Sequence, residues 1–360
     1  MAADELWLTH GALLTPRGIV RGAVQIARGR IAAVRSTTPR GSASLDLSGA
    51  YLAPGFIDLH AWGDPAVVGR QAVKHGTTAF LSAIGPGPAR RFVKEVAERR
   101  IDLSGESAAC LGFHLEGPFL NPARGGALPR RWMRPPTAHE LRALAHAAGR
   151  RVRLMTLAPE LPGALSAIRW CVAHRVVASL GHSDADALTA QRAVDAGART
   201  VTHVFNGMRP LHHRRSSLLD VALADARLTT MVIADGVHIS PTAFRLLVRV
   251  KGAGGIALVT DSIREAGWDV MQRRGAYYTR QGVLAGSDLT MIGAVRNAVR
   301  FGGVSLANAV RMASEVPARL LGLARSRGTL EVGKRGDLVG FDRKLRVMVT
   351  VVGGRIVYER

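Results

Sequence analysis

Between about residue 54 and residue 325, short apolar runs of strand length alternate with stretches whose apolar residues recur at helical spacing. Eight runs can be counted: FIDLH from 56, TTAFLSA from 77, CLGFHLE from 110, VRLMTLAPE from 152, VVASLGH from 176, TVTHVFN from 200, TTMVIADGVH from 229 and IALVTDS from 256. Among the intervening stretches, ALTAQRAVDAGA and TAFRLLVRVKGAGG carry helical spacing and close on Gly, a common residue just past a helix C-terminus. Strand and helix in alternation predict an α/β fold with a parallel sheet. Eight repeats favour a closed, TIM-like (β/α)8 barrel over a doubly wound open sheet.

The pattern differs at the ends. VQIARGRIAAV at 24–34 and VTVVGGRIVY at 349–358 each place branched apolar residues on both sides of a Gly-containing turn, so each reads as a β-hairpin. Neither would be stable alone, and pairing the two termini covers both. The predicted organisation is a small β-sandwich built from 1–53 and 326–360, with the barrel spanning 54–325. Pro54 and Gly55 in DLSGAYLAPGF mark the entry to the larger unit.

Composition narrows the setting. With 360 residues, 47% of them hydrophobic, the chain can bury a full-sized core. Cys110 and Cys171 form neither a disulfide framework nor a CxxC site, which suits a reducing compartment. The start, MAADELWLTHG, lacks a long apolar core and no run approaches the roughly 20 apolar residues of a membrane span, so a soluble, cytoplasmic protein is expected. The net charge of +22 raises nucleic-acid binding, but the arginines are scattered as short pairs along the whole chain and aromatics make up only 5%. A basic surface that attracts a phosphorylated small molecule, or a solvated face without a specific role, explains the charge better.

Chemistry concentrates where the runs end. Glu116, His182, His203 and Asp261 each close a strand-like run, and His60 and His238 do the same. In a barrel these ends share one face, where barrel enzymes place their active sites, so separation in sequence ceases to matter. A structural zinc site would normally enlist cysteine. Two His and one Glu leave a coordination position for water, the ligand set of a catalytic zinc, and a nearby carboxylate would handle the protons.

PGFIDLH, FHLEGPFLNPARGG, GHSDA, THVFNGMRPLHHR, ADGVHISP, LVTDS and LAGSDLTM, in this order, resemble the N-acetylglucosamine-6-phosphate deacetylases of the amidohydrolase superfamily. The similarity continues through ASEVPARLLGL and GTLEVGKRGDLVGFD, so it is nearly full length. The resemblance implies that Glu116, His182 and His203 hold one divalent ion per chain, zinc or a similar metal, and that Asp261 is the general base. It implies an N-acetyl amino sugar phosphate as substrate, cleaved to acetate and glucosamine 6-phosphate. His238 and Arg214 match positions that contact substrate and phosphate, the arginine reaching in from a neighbouring subunit, so a homodimer is implied. Asn206, Gly207 and Met291 match further substrate contacts.

Departures from the family pattern surround the pocket. GGAL at 125–128 puts Leu128 where a histidine helps to polarise the substrate carbonyl, and losing such a donor typically costs about a hundredfold in rate unless a neighbour such as His212 or His213 takes over. The HxH motif of many relatives reads His60, Ala61, Trp62, which argues against a second metal. The glycine-rich insert is shortened to GDPAVVGRQ, and the REPG after the double histidine becomes Arg214, Arg215, Ser216, Ser217. The alternatives are therefore a diverged amidohydrolase acting on another N-acyl amino sugar or small amide, and a catalytically weak paralogue.

Overall fold

Each of the eight apolar runs contributes a strand to one sheet: β1 (Phe56–Gly63), β2 (Thr77–Ile84), β3 (Ala109–Glu116), β4 (Val152–Leu157), β5 (Val177–Leu180), β6 (Thr200–Val201), β7 (Thr229–Val232) and β8 (Ile256–Leu258). This is seen in a computed structural model that describes residues 5–37, 44–101 and 105–360; the first four residues, part of the N-terminal reading, lie outside them. Strands β1 to β8 pair in chain order and every pairing is parallel. Their side chains are buried almost throughout, as expected of parallel strands covered by helices.

The eighth run does two jobs. Its first half, β8, bonds to β7, and after Asp261 its continuation Ser262–Glu265 bonds to β1, with Ser262 opposite Ala61. The sheet therefore curls until its last run meets its first. Beyond that point the strands Met271–Arg273, Ala276–Tyr278 and Leu284–Ser287 extend the sheet to twelve strands, an addition the apolar pattern did not announce because these strands are short and half exposed.

The helices start where polar caps allow. α1 (Pro65–Ala72), α2 (Ala89–Glu98), α3 (Ala138–Ala148), α4 (Ala164–Ala173), α5 (Ala187–Ala196), α6 (Leu218–Ala224), α7 (Pro241–Lys251) and α8 (Met291–Gly302) follow β1 to β8. Asp64, Thr137, Asp186, Ser217, Ser240 and Thr290 accept backbone N–H groups at the starts of α1, α3, α5, α6, α7 and α8, each cap worth about 1 kcal/mol. The helices expected around 187–198 and after 241 end at Gly197 and Gly252 as read.

Both terminal hairpins are present, as Gly18–Ala27 with Arg30–Arg35 and Val347–Val352 with Arg355–Glu359. They belong to one eight-stranded sheet. Tyr51–Pro54 joins them by pairing parallel to Glu5–Thr15 and antiparallel to Leu338–Phe341. Leu8, Leu13, Val24, Leu52, Leu338 and Val349 form its own apolar core. The hydrogen bonds link all eight strands into one sheet that unites both termini. No helix among the described residues is long and apolar enough to cross a membrane.

Candidate metal and active site

The ends of β1, β3, β5, β6 and β8 bring His60, Glu116, His182, His203 and Asp261 together. Glu116 is the centre: its Oε1 lies 3.0 Å from His182 Nε2 and 2.7 Å from His203 Nε2, and its Oε2 lies 3.4 Å from His60 Nε2. His60 Nε2 is also 3.1 Å from Asp261 Oδ1. All five side chains are buried.

Three of these residues hold unusual backbone. His182, His203 and Asp261 have φ of 47°, 28° and 48°, in the left-handed region that costs a non-glycine residue on the order of 1–3 kcal/mol. The turns immediately after β5, β6 and β8 aim their side chains inward at this cost. Neighbouring loops supply the restraint: the His182 carbonyl accepts the Asn121 N–H, the Gly207 carbonyl accepts the Ser183 N–H, and Asp261 N–H donates to the His60 carbonyl.

The donor set fits a cation. His182 Nδ1 donates to the Arg124 carbonyl at 2.8 Å, so in the neutral imidazole Nε2 presents a lone pair to a carboxylate oxygen 3.0 Å away. Two acceptors that close repel each other unless a positive charge sits between them. His60 Nε2 is buried without an aligned hydrogen-bond partner, and single donor atoms of His60, Glu116 and His203 lie within 4.8 Å of one another. With protons alone, burial pushes Glu116 up but the His60 charge and bonds from His182 and His203 outweigh it, holding the carboxyl well below its usual range. Burial likewise pulls His60 down, yet Glu116 and Asp261 carry it up to about 10. One carboxylate thus faces three imidazoles, an arrangement that metal binding by neutral histidines relieves.

Beneath this cluster lies a layer of polar groups that the sequence reading missed. His114 sits two residues before Glu116 on the same face of β3, contacts the Leu59 carbonyl and Thr156 Oγ1 at 3.0 and 2.7 Å, and packs its ring, tilted, 4.2 Å from that of His60. Burial holds its imidazole well below the ordinary range, so it is neutral. Asp58, pushed up to about 6 by burial, accepts the Thr260 hydroxyl at 2.5 Å and the His60 N–H at 3.1 Å. The HxE spacing in FHLE was the available signal for His114.

The remaining predicted residues fall into different settings. Trp62 donates its indole N–H to Asp261 Oδ1 at 2.9 Å. His238 follows β7, and Asp235 three residues earlier accepts its Nδ1–H at 2.6 Å, which fixes the ring and leaves Nε2 free of that bond; both side chains are nearly buried. Asn206 turns back on its own loop, donating to the His203 and Val204 carbonyls. Gly207, at φ 62°, packs against His182: a Cβ there would lie 2.9 Å from His182 Nδ1 and 3.2 Å from the Arg124 carbonyl, so the glycine protects the bond that orients the ligand.

Arg214 is exposed on a turn, where its backbone N–H meets His212 Nδ1. His212 and His213 stack on each other 4.9 Å apart rather than on the Glu116 cluster. Met291, expected at the substrate, is the first residue of α8, only 1% exposed and part of the main apolar core. Leu128 is also buried, in an apolar cluster with Trp62, Leu120, Met133 and Ile263.

Comparison with known proteins agrees with this geometry. The sequence profile of the Amidohydrolase family matches residues 51–357. The chain belongs to the amidohydrolase family. Amidohydrolases are metal-dependent hydrolases, which accounts for the carboxylate and imidazole cluster. N-acetylglucosamine-6-phosphate deacetylase of Bacillus subtilis (strain 168) is 31% identical over 99% of this chain and 98% of its own length. N-acetylgalactosamine-6-phosphate deacetylase of Escherichia coli O157:H7 is 34% identical over 92% of this chain and 94% of its own. The solved structure of a mutant of the Mycobacterium smegmatis N-acetyl-D-glucosamine-6-phosphate deacetylase, in complex with N-acetyl-D-glucosamine-6-phosphate, superposes with a TM-score of 0.88 at 31% identity, covering 99% of this chain and 100% of that one.

Proposed function

We propose that this amidohydrolase deacetylates N-acetylglucosamine 6-phosphate, releasing acetate and glucosamine 6-phosphate in the cytoplasm. The observation that carries the proposal is the convergence of three imidazoles on Glu116, with Asp261 beside one of them, His60, in a chain that aligns nearly end to end with proteins named for this reaction. Glu116, His182 and His203 hold one divalent ion, for which we propose zinc. When bound, it would supply a water acidified towards a pKa of about 7 and a Lewis acid for the carbonyl oxygen. Trp62 restrains Asp261 Oδ1, so Oδ2 accepts the proton from the attacking water and returns it to the departing amine. His238, held by Asp235, faces the substrate, while Asn206 and Gly207 line the phosphate end and Arg214 of a second copy reaches it across a homodimer. We read the curled parallel array as a closed (β/α)8 barrel of residues 54–325, with 1–53 and 326–360 as the smaller β-domain.

Acetate release from N-acetylglucosamine 6-phosphate, N-acetylgalactosamine 6-phosphate and the unphosphorylated sugars tests the assignment. Brisk, chelator-sensitive release from the first supports it. Release from the second alone reassigns the substrate to another N-acyl amino sugar, the reading favoured by burial of Leu128 where the family places a donor. Metal binding without release from any of them overturns both.

A further inference from the structure

Trp62 stands between the Asp261 carboxylate and a cavity of about 600 Å³. Its indole N–H faces Asp261, while its six-membered ring faces Gly85, whose absent Cβ would lie 3.0 Å from Trp62 Cη2. Gly85 lines the cavity together with Ile84, Leu128, Trp132 and Trp268. The ring is fixed in place: Trp268 packs at 4.9 Å between centroids, Leu128 joins the same apolar cluster, and only 7% of Trp62 is exposed. The lining also carries charged groups, Asp64, Arg91, Arg131 and the Glu95–Arg99 pair, beside its apolar residues.

The sheet order gives this cavity a direction. Trp62, Gly85 and Leu128 follow or close β1, β2 and β3, whereas Asn206, Arg214 and His238 follow β6 and β7. In a ring of eight strands β2 lies opposite β6, and β3 opposite β7. With the sugar phosphate on the β6 and β7 side, an amide held between Glu116 and Asp261 directs its acyl group towards Trp62.

We propose that Trp62 is a specificity-determining residue that sets acyl length: a two-carbon acyl group ends against its ring, and the cavity behind takes a longer linear chain once that ring is removed. The inference rests on the deacetylase reading above. The reaction itself is unchanged, water adding its oxygen to the carbonyl carbon as the C–N bond breaks and the amine leaves with a proton.

The test compares wild type with Trp62→Phe and Trp62→Leu on N-acetyl-, N-butanoyl- and N-hexanoyl-glucosamine 6-phosphate. Both variants lose the indole N–H, so the acyl preference isolates ring size. Trp62→Phe should keep the acetyl preference, and Trp62→Leu should raise the butanoyl-to-acetyl ratio of kcat/KM by about thirtyfold or more. A ratio in Trp62→Leu within threefold of wild type, or a wild type that cleaves the hexanoyl substrate as well as the acetyl one, overturns the proposal. Trp62→Met serves as the enlarged-pocket variant if the leucine variant fails to fold. Calorimetric binding of hexanoate and acetate to the metal-loaded protein separates this inference from the parent reading, since it requires no turnover. A hexanoate-to-acetate affinity ratio at least tenfold higher in the enlarged-pocket variant than in wild type supports the acyl cavity even if no sugar phosphate is cleaved; an unchanged ratio removes it.

Discussion

The two sides of the strand-end face differ in how much of their geometry is already built. Around Glu116, side chains are buried, three backbones are strained, and second partners orient the working groups: Arg124 for His182, Trp62 for Asp261, Asp58 for the His60 backbone. Around Arg214, the turn after β6 is exposed, its two histidines stack on each other, and Arg214 itself is exposed. The difference teaches a division of labour. Groups that stabilise developing charge must be positioned before the reaction, because reorganising them during it would return the energy gained. Groups that recognise the far end of a substrate can be ordered by the substrate or by a second subunit.

Breaking the built side should give the largest effects. Glu116→Ala or His182→Ala is expected to strip the ion and lower turnover by about a thousandfold or more. Elemental analysis should find one equivalent in the wild type and little in either variant. Two equivalents in the wild type would bring His60 into a second site. Next, Asp261→Asn should lower kcat by about a hundred- to ten-thousandfold with metal content unchanged, since an amide cannot accept the water proton. A loss under tenfold excludes Asp261 as the base.

Gly207→Ala probes how the built side is supported. The new Cβ would press on His182 Nδ1, so metal affinity should fall about ten- to a hundredfold without removing a ligand, as measured by competition with a chelating dye. Unchanged affinity would mean that His182 does not depend on this packing.

On the open side, Arg214→Ala should raise KM for a sugar phosphate by about tenfold with kcat little changed, and leave the unphosphorylated sugar within twofold. Equal effects on both sugars would remove the phosphate contact. The smallest change is expected at Leu128. Because its side chain packs against Trp62 and Met133, Leu128→His buries a polar ring and should cost about 1–2 kcal/mol in urea unfolding, with turnover altered less than tenfold. A large gain in turnover would show that the imidazole reaches the reacting carbonyl after all.

Much of this protein was legible in the sequence because periodicity is local. Alternating apolar runs and capped helical stretches report which face of each segment avoids water, and that suffices for eight parallel strands, two terminal hairpins and an address for Glu116, His182, His203 and Asp261. The order of the motifs supplied the family. What each polar group touches was decided only by tertiary structure: Trp62 meets Asp261 across 199 residues, His114 reaches Thr156 across 42, and Leu128 turns into an apolar cluster although its neighbours carry the catalytic motif. The burial of Met291 at the start of α8 is likewise a matter of tertiary packing. The physical reason is that hydrophobic burial is additive and nearly non-directional, so a pattern encodes it. Hydrogen bonding between distant loops depends on strand register and backbone torsion to within an ångström, and no single segment contains that information.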